Sequence, residues 1–247
     1  MHCIENVERA LALHAAGRTH YEISRETGIA RSTIQRWVRD PGRALARGQP
    51  PKAARPEQAP GAYAYLLGLY LGDGWMRRYP RTWQLVLTLD SQYGSVVDEA
   101  HEAIRTFTPS GIVRVRRRRD SRAVDVSAYG KHWLALLPQH GPGRKHLRRI
   151  ILVDWQRSIT HARPRHLLRG LIHSDGCRIV ASVPGPRGKR YSYPRYYFSN
   201  RSADIRAILC EHLDLLAIEW TRSMPNVIQI ARRSAVEALD LFIGPKR

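Results

Sequence analysis

Two stretches of this chain end a helical-looking apolar run on the same dipeptide. Residues 62–72 are apolar or small throughout and stop at Asp73-Gly74, in "GLYLGDGW" (68–75); "RGLIHSDGCR" (169–178) repeats the pattern and stops at Asp175-Gly176. One such ending is an ordinary helix terminus followed by a turn. Two endings constrain the whole chain, because other landmarks recur between them in the same order. "WQLVLTLDSQ" (83–92) aligns with "RYYFSNRSAD" (195–204), "AVDVSAYGKHWLALL" (123–137) with "VIQIARRSAVEALDLF" (227–242), and "GPGRK" (141–145) with "GPK" (244–246). Ordered self-similarity of this kind means two copies of one unit, here about 61–150 and 163–247. Each copy reads helix, strand, strand, helix, strand, strand, helix, an α+β class. The expected strands are 75–79, 82–89, 111–118 and 122–128 in the first copy. In the second they are 177–183, 193–200, 217–222 and 226–231.

The repeated motif also says how the copies meet. Gly68 and Gly72 lie one turn apart on a helix face, as do Gly170 and Ser174. With almost no side-chain bulk on those faces, two helix backbones can approach closely. Packing the motif helices on each other brings their last residues, Asp73 and Asp175, side by side. Carboxylates that close raise each other's pKa unless a cation neutralises them. Hard oxygen donors suit Mg²⁺ or another divalent ion, and such an ion beside a phosphodiester polarises the phosphate and activates water.

The charge balance points to the same kind of partner. Among 247 residues are 41 Lys+Arg and 21 Asp+Glu, a net charge of +20, which favours a polyanion, with nucleic acid first. Three scattered cysteines without a CxxC pair argue against a disulfide framework or a zinc knuckle; Cys177 and Cys210 read as core thiols. The N-terminal segment has two acids and no apolar h-region, and no apolar run is long enough for a bilayer. The expectation is a cytoplasmic, nucleoid-associated protein with no membrane contact.

Residues 1–45 form a separate helical module. Thr19 and Glu22 make a T-x-x-E capping box, Gly28 permits a tight turn, and Ile34 and Trp37 share a buried face on the helix after it. The stretch "EISRETGIARSTIQRW" resembles the helix-turn-helix domains of resolvases and small bacterial repressors. That resemblance implies a last helix in the DNA major groove, presenting Arg31, Ser32, Thr33, Gln35 and Arg36. Residues 46–60, "ARGQPPKAARPEQAP", hold four prolines and no apolar periodicity, and read as a semi-rigid linker. Fully extended, it would span on the order of 50 Å.

At "LLGLYLGDG" and "LLRGLIHSDG", residues 61–247 resemble the LAGLIDADG homing endonucleases in their two-motif, single-chain form. The resemblance implies two pseudo-symmetric αββαββα half-domains whose antiparallel sheets form a saddle on double-stranded DNA. It implies a monomer with an internal pseudo-twofold axis. It assigns metal binding and catalysis to Asp73 and Asp175, and a basic residue near each scissile phosphate to Lys145 and, through the repeat, Lys246. The motif's earlier acid is replaced by Leu71 and His173; His173 reads as structural. The strands fit a DNA-facing saddle. Alternation in "RVRRRRDSR" (114–122) puts Arg114, Arg116 and Arg118 on one face, opposite Val113 and Val115. Arg77, Arg78, Arg81, Gln84, Arg178, Lys189, Arg190 and Arg195 lie in or beside the other strands, where Arg and Gln read guanine and adenine edges or hold phosphates. "YSYPRYYFSN" (191–200) reads as sheet packing. The expected function is sequence-specific DNA binding with metal-dependent cleavage of both strands. The alternatives are a transcription regulator that keeps the fold without cleaving and, more weakly, an RNA maturase.

Overall fold

The structure is a computed structural model describing residues 4–45, 55–108, 111–184, 186 and 189–244. The chain divides into two compact units, Met1–Lys52 and Ala53–Arg247.

The first unit is all helical: α1 (Ile4–Ala15), α2 (His20–Thr27), α3 (Arg31–Arg39) and α4 (Pro41–Leu45). Helix α2 starts where Thr19 and Glu22 cap each other. The Glu22 N–H donates to Thr19 Oγ1 at 3.3 Å, and the Thr19 N–H donates to the Glu22 carboxylate at 2.8 Å. It ends at Gly28, whose φ of 68° is cheap only without a Cβ. Val7, Ile23, Ile29, Ile34 and Trp37 make a core belonging to this unit alone.

The second unit runs α5 (Pro60–Asp73), β1 (Gly74–Arg78), β2 (Trp83–Asp90), α6 (Gly94–Thr106), β3 (Val113–Arg117), β4 (Ala123–Gly130) and α7 (Trp133–Leu136). A connecting helix, α8 (Asp154–Ala162), follows. The pattern then repeats as α9 (Pro164–Asp175), β5 (Gly176–Pro184), β6 (Arg190–Ser199), α10 (Ala203–Leu215), β7 (Thr221–Met224), β8 (Val227–Ile230) and α11 (Arg233–Asp240). The two antiparallel sheets have the same order, β1-β2-β4-β3 and β5-β6-β8-β7. Residues 55–60, expected in the linker, belong to this unit: a 3-10 turn spans Pro56–Gln58, and Pro56 is buried.

Helices α5 and α9 pack on each other at the centre of one continuous core. Every residue of α5 from Tyr63 to Leu71 is buried, as a helix apolar on all sides requires. The backbones nearly touch. A Cβ at Gly68 would lie 2.5 Å from the Leu167 carbonyl oxygen, and one at Gly170 would lie 2.3 Å from that of Tyr65. On the side of the connecting helix, Gln156 donates to the Tyr63 hydroxyl (2.6 Å), which donates to the Leu136 carbonyl (2.6 Å). This buried polar network ties α8 to the first half.

The strand register fixes which residues of the halves correspond. Gly74 pairs with Leu87 and Gly176 with Phe198, so Leu87 is the counterpart of Phe198. The segment 83–92 therefore matches 194–203, one residue away from the alignment read from sequence. A one-residue slip exchanges the two faces of a strand. In the observed register Leu85 and Leu87 match Tyr196 and Phe198, all buried. Residues 217–220 were expected to open a strand, but Ala217 and Ile218 close α10 in a Schellman cap and the strand starts at Thr221. The Ala217 N–H donates to Asp214 and the Ile218 N–H to Leu213, with Ala217 at φ 54°.

Candidate nucleic-acid interface and acid pair

Asp73 and Asp175 are the last residues of α5 and α9. Small residues let these ends meet. A Cβ on Gly72 would stand 2.2 Å from Ser174 Oγ and 2.9 Å from Asp175 Oδ2, so the Asp175 carboxylate lies against the final turn of α5. Ser174 Oγ donates back to the Leu171 carbonyl at 2.9 Å, within its own helix. Both acids are half-buried and line one cleft of about 560 Å³ with Trp75, Thr88, Arg118, Ser199, Asn200 and Arg201.

Two groups, one polar and one cationic, lie at the pair. Asn200 Nδ2 donates to Asp175 Oδ2 at 2.6 Å, and Asn200 is itself fixed by the Ser202 N–H on its Oδ1 at 2.7 Å. Lys145 sits at the C-terminus of α5, where its ammonium donates to the carbonyls of Tyr70, Leu71 (2.9 Å) and Gly72 (2.8 Å). A cation there complements the helix dipole. Burial brings the Lys145 pKa down to about 8, against the upward pull of Asp175 and Asp73, and Arg148 lowers it further. Its protons are thus directed at backbone oxygens while its charge serves both carboxylates. Asn200 had no motif to mark it; its only signal was a place just after a strand, before the Ser202 cap of α10.

Among the described residues no cluster of three or more His, Cys, Asp or Glu could hold a metal. The acid pair supplies hard carboxylate oxygens in a cleft that Thr88 and Ser199 also line. Such a set fits an ion like Mg²⁺, which binds one or two carboxylates and fills its octahedron with water and phosphate oxygens.

The cleft tells the two faces of each sheet apart. Trp75 and Thr88 line it from the first sheet and Ser199 from the second. Strand alternation then puts Trp75, Arg77, Gln84, Thr88, Arg114, Arg116, Asp125, Ser127 and Tyr129 on the cleft side of the first sheet. Gln84 donates to Ser127 (3.2 Å), Arg77 and Arg114 lie over the Tyr79 and Tyr129 rings, and Arg118 just beyond β3 makes two hydrogen bonds with Asp125 (2.9 and 2.8 Å). Arg118 is thus already engaged by an acid. Arg78 has the opposite parity to Arg77 but is exposed at the strand end, and Arg81 is exposed in the loop to β2. Val115, on the opposite face as expected, is half exposed because β3 is the sheet edge.

In the second sheet Arg195 lies on the cleft side. Arg178 does not. It faces α11 and makes a bidentate ion pair with Asp240 (2.8 and 2.7 Å), so the expected DNA contact is a structural clamp. Arg190 shares the parity of Arg178 and donates to Ser182 Oγ at 3.0 Å; Lys189 is exposed beside it. Cys177, expected in the core, is exposed on the cleft side. The tyrosine-rich stretch divides: Tyr196 is in the core, while Tyr191 and Tyr193 are 45 % exposed.

His173 is buried inside α9. Its Nδ1 meets the Tyr65 hydroxyl at 2.9 Å and its Nε2 the Ile243 carbonyl at 3.0 Å. A carbonyl only accepts, so Nε2 carries a proton. Arg169 binds the same carbonyl at 2.7 Å and Glu99 at 2.6 and 2.8 Å, fastening the last described residues to the central helices. Lys246 lies outside the described residues. In the first unit, Arg31, Ser32, Gln35 and Arg36 are exposed on α3 and Thr33 is half-buried, while Ile34 and Trp37 face the core.

No family model and no curated protein matches this sequence. Solved structures do. A complex of I-DmoI with DNA and manganese is 15 % identical, with 75 % of this chain and 97 % of that one covered and a TM-score of 0.49. The LAGLIDADG homing endonuclease I-LtrWI bound to its target DNA is 8 % identical over 75 % and 84 % of the chains, with a TM-score of 0.49. Full-length WhiA from Thermatoga maritima is 16 % identical over 81 % and 60 %, also with a TM-score of 0.49.

Proposed function

We propose that this chain is a sequence-specific DNA-binding protein that hydrolyses phosphodiester bonds in both strands, using a divalent cation held by Asp73 and Asp175. The observation that carries this reading is the close meeting of the α5 and α9 ends, which sets both carboxylates in one cleft between two sheets. A fold needs no such acid pair in its most tightly packed seam; two like charges there cost stability. When bound, Mg²⁺ would supply Lewis-acid polarisation of the phosphate and a more acidic water. The chain's own residues do the rest. Asn200 fixes the Asp175 carboxylate through its Oδ2. Lys145 keeps positive charge beside both acids. Arg77, Arg114 and Arg116 on the cleft side attract and orient the phosphate backbone and reach base edges. The exposed α3 face of the first unit, Arg31, Ser32, Gln35 and Arg36, supplies a second DNA contact of the helix-turn-helix kind. The test is incubation with a randomised plasmid library and Mg²⁺. Linear product supports the reading; only intact supercoiled plasmid refutes cleavage.

A regulator that binds without cutting is the second reading. It is favoured by one specific observation: the ammonium of Lys145 is committed to three backbone carbonyls. It predicts a tight, sequence-specific complex that is indifferent to Mg²⁺.

A further inference from the structure

The two sheets share a topology but not a surface. Corresponding cleft-side positions, taken from the strand register, carry different chemistry. Arg77 is replaced by Ile179 and Val86 by Tyr197. Arg114 is replaced by Thr221, and Asp125 by Val227, with Met224 opposite it where Arg116 stands in the first half. Ile179 is 42 % exposed and Met224 65 %, and Tyr191 and Tyr193 extend the apolar strip along β6 with their rings stacked at 6.3 Å. The first sheet thus offers mainly charge and amide groups on its cleft side, beside Trp75, Val86 and Tyr129, and the second mainly methyl, thioether and aromatic groups, beside Arg195 and Gln229.

Resting on the DNA-binding reading above, we infer that the two halves read their half-sites by different chemistry, and that the second sheet selects a thymine-rich half-site through the C5 methyl groups. The strip is continuous with the acid cleft, which Ser199 lines from the same strand and the same face. Cations flank it: Arg195 within the strip, Arg201 at the cleft, and Lys189 at the hairpin end. That arrangement matches a groove with phosphates at its walls and apolar groups on its floor. In the major groove only thymine presents a methyl, and apolar side chains distinguish it there. The first sheet, with Arg77, Arg114 and Arg116, suits guanine edges instead.

The experiment uses the full chain and duplexes selected from a randomised library. Deoxyuridine replaces thymidine in one half-site at a time, deleting the methyl and leaving base pairing intact. The expected result is weaker binding by about fourfold for each methyl lost in one half-site. In the other half-site the replacement has no effect. The exposed substitutions Ile179→Ala and Tyr193→Ala should abolish the uracil effect, whereas Arg114→Ala should weaken binding and leave it intact. Binding with equal or no uracil sensitivity in both half-sites would overturn the inference while leaving DNA binding itself standing. A dimer that Tyr193→Ala dissociates, without uracil sensitivity, would assign the strip to a second copy of the chain and equally overturn it.

Discussion

At the scale of the residue, three charges meet at the ends of the central helices. Asp73 and Asp175 end their helices beside each other because Gly72 and Ser174 leave room, and Lys145 compensates them from the end of α5. Its lowered pKa has a measurable consequence. Because burial holds the folded-state value near 8, below the ordinary 10.5, the unfolded chain binds more protons between those pH values. Folding stability from this group therefore rises as pH increases from about 8 to about 10.5. Denaturant titrations across that range should show wild type gaining stability relative to Lys145→Met, whose side chain does not titrate. A flat difference would mean that Lys145 is not buried as described. The acids themselves were legible from the repeated Asp-Gly ending. Asn200 was not, since a side chain that fixes a carboxylate from another element leaves no periodic trace.

At the scale of the element, the central helix pair is set by glycine. Gly68→Ala and Gly170→Ala each place a methyl within about 2.5 Å of a backbone carbonyl across the seam. Backbone cannot yield as a flexible side chain does, so each should cost about 3 kcal/mol or more in chemical denaturation. Ala217→Gly tests the opposite sign. Ala217 is exposed at φ 54° in the cap of α10, so glycine there should stabilise by about 1 kcal/mol, read as a rise in Tm. The same two sites show why the sequence was informative in one place and misleading in the other. The Gly-x-x-x-Gly face and the apolar run of α5 are local patterns, and helix identity follows from them directly. The strand start expected at 217 was instead a helix cap, because a Schellman turn built on Ala lacks the usual glycine signal. The one-residue slip between β2 and β6 arose because both strands are apolar at neighbouring positions. Only pairing with β1 and β5 fixes the register, and with it the cleft-side face. Arg178 falls on the other face by that register, and its partner there, Asp240, is far along the chain.

At the scale of the molecule, a unit of two four-stranded sheets and a helical unit are joined in one chain of net charge +20. Affinity for DNA should fall on the order of a thousandfold or more between about 50 and about 200 mM salt if six or more phosphates are engaged. Removing residues 1–52 should weaken binding but preserve the sequence preference imposed by the sheets, because the second unit has a core of its own. The proposed cleavage depends most on the acid pair acting on bound DNA, and one measurement addresses it. A selected duplex is incubated with Mg²⁺ and wild type or Asp73→Asn, with binding and strand cleavage recorded in the same samples. Both proteins should bind and only the wild type should cut, with a cleavage rate at least about a hundredfold above the variant's, as expected for loss of a group that stabilises the transition state. Equal cleavage by the two proteins, or tight binding with no cleavage by wild type, would contradict it.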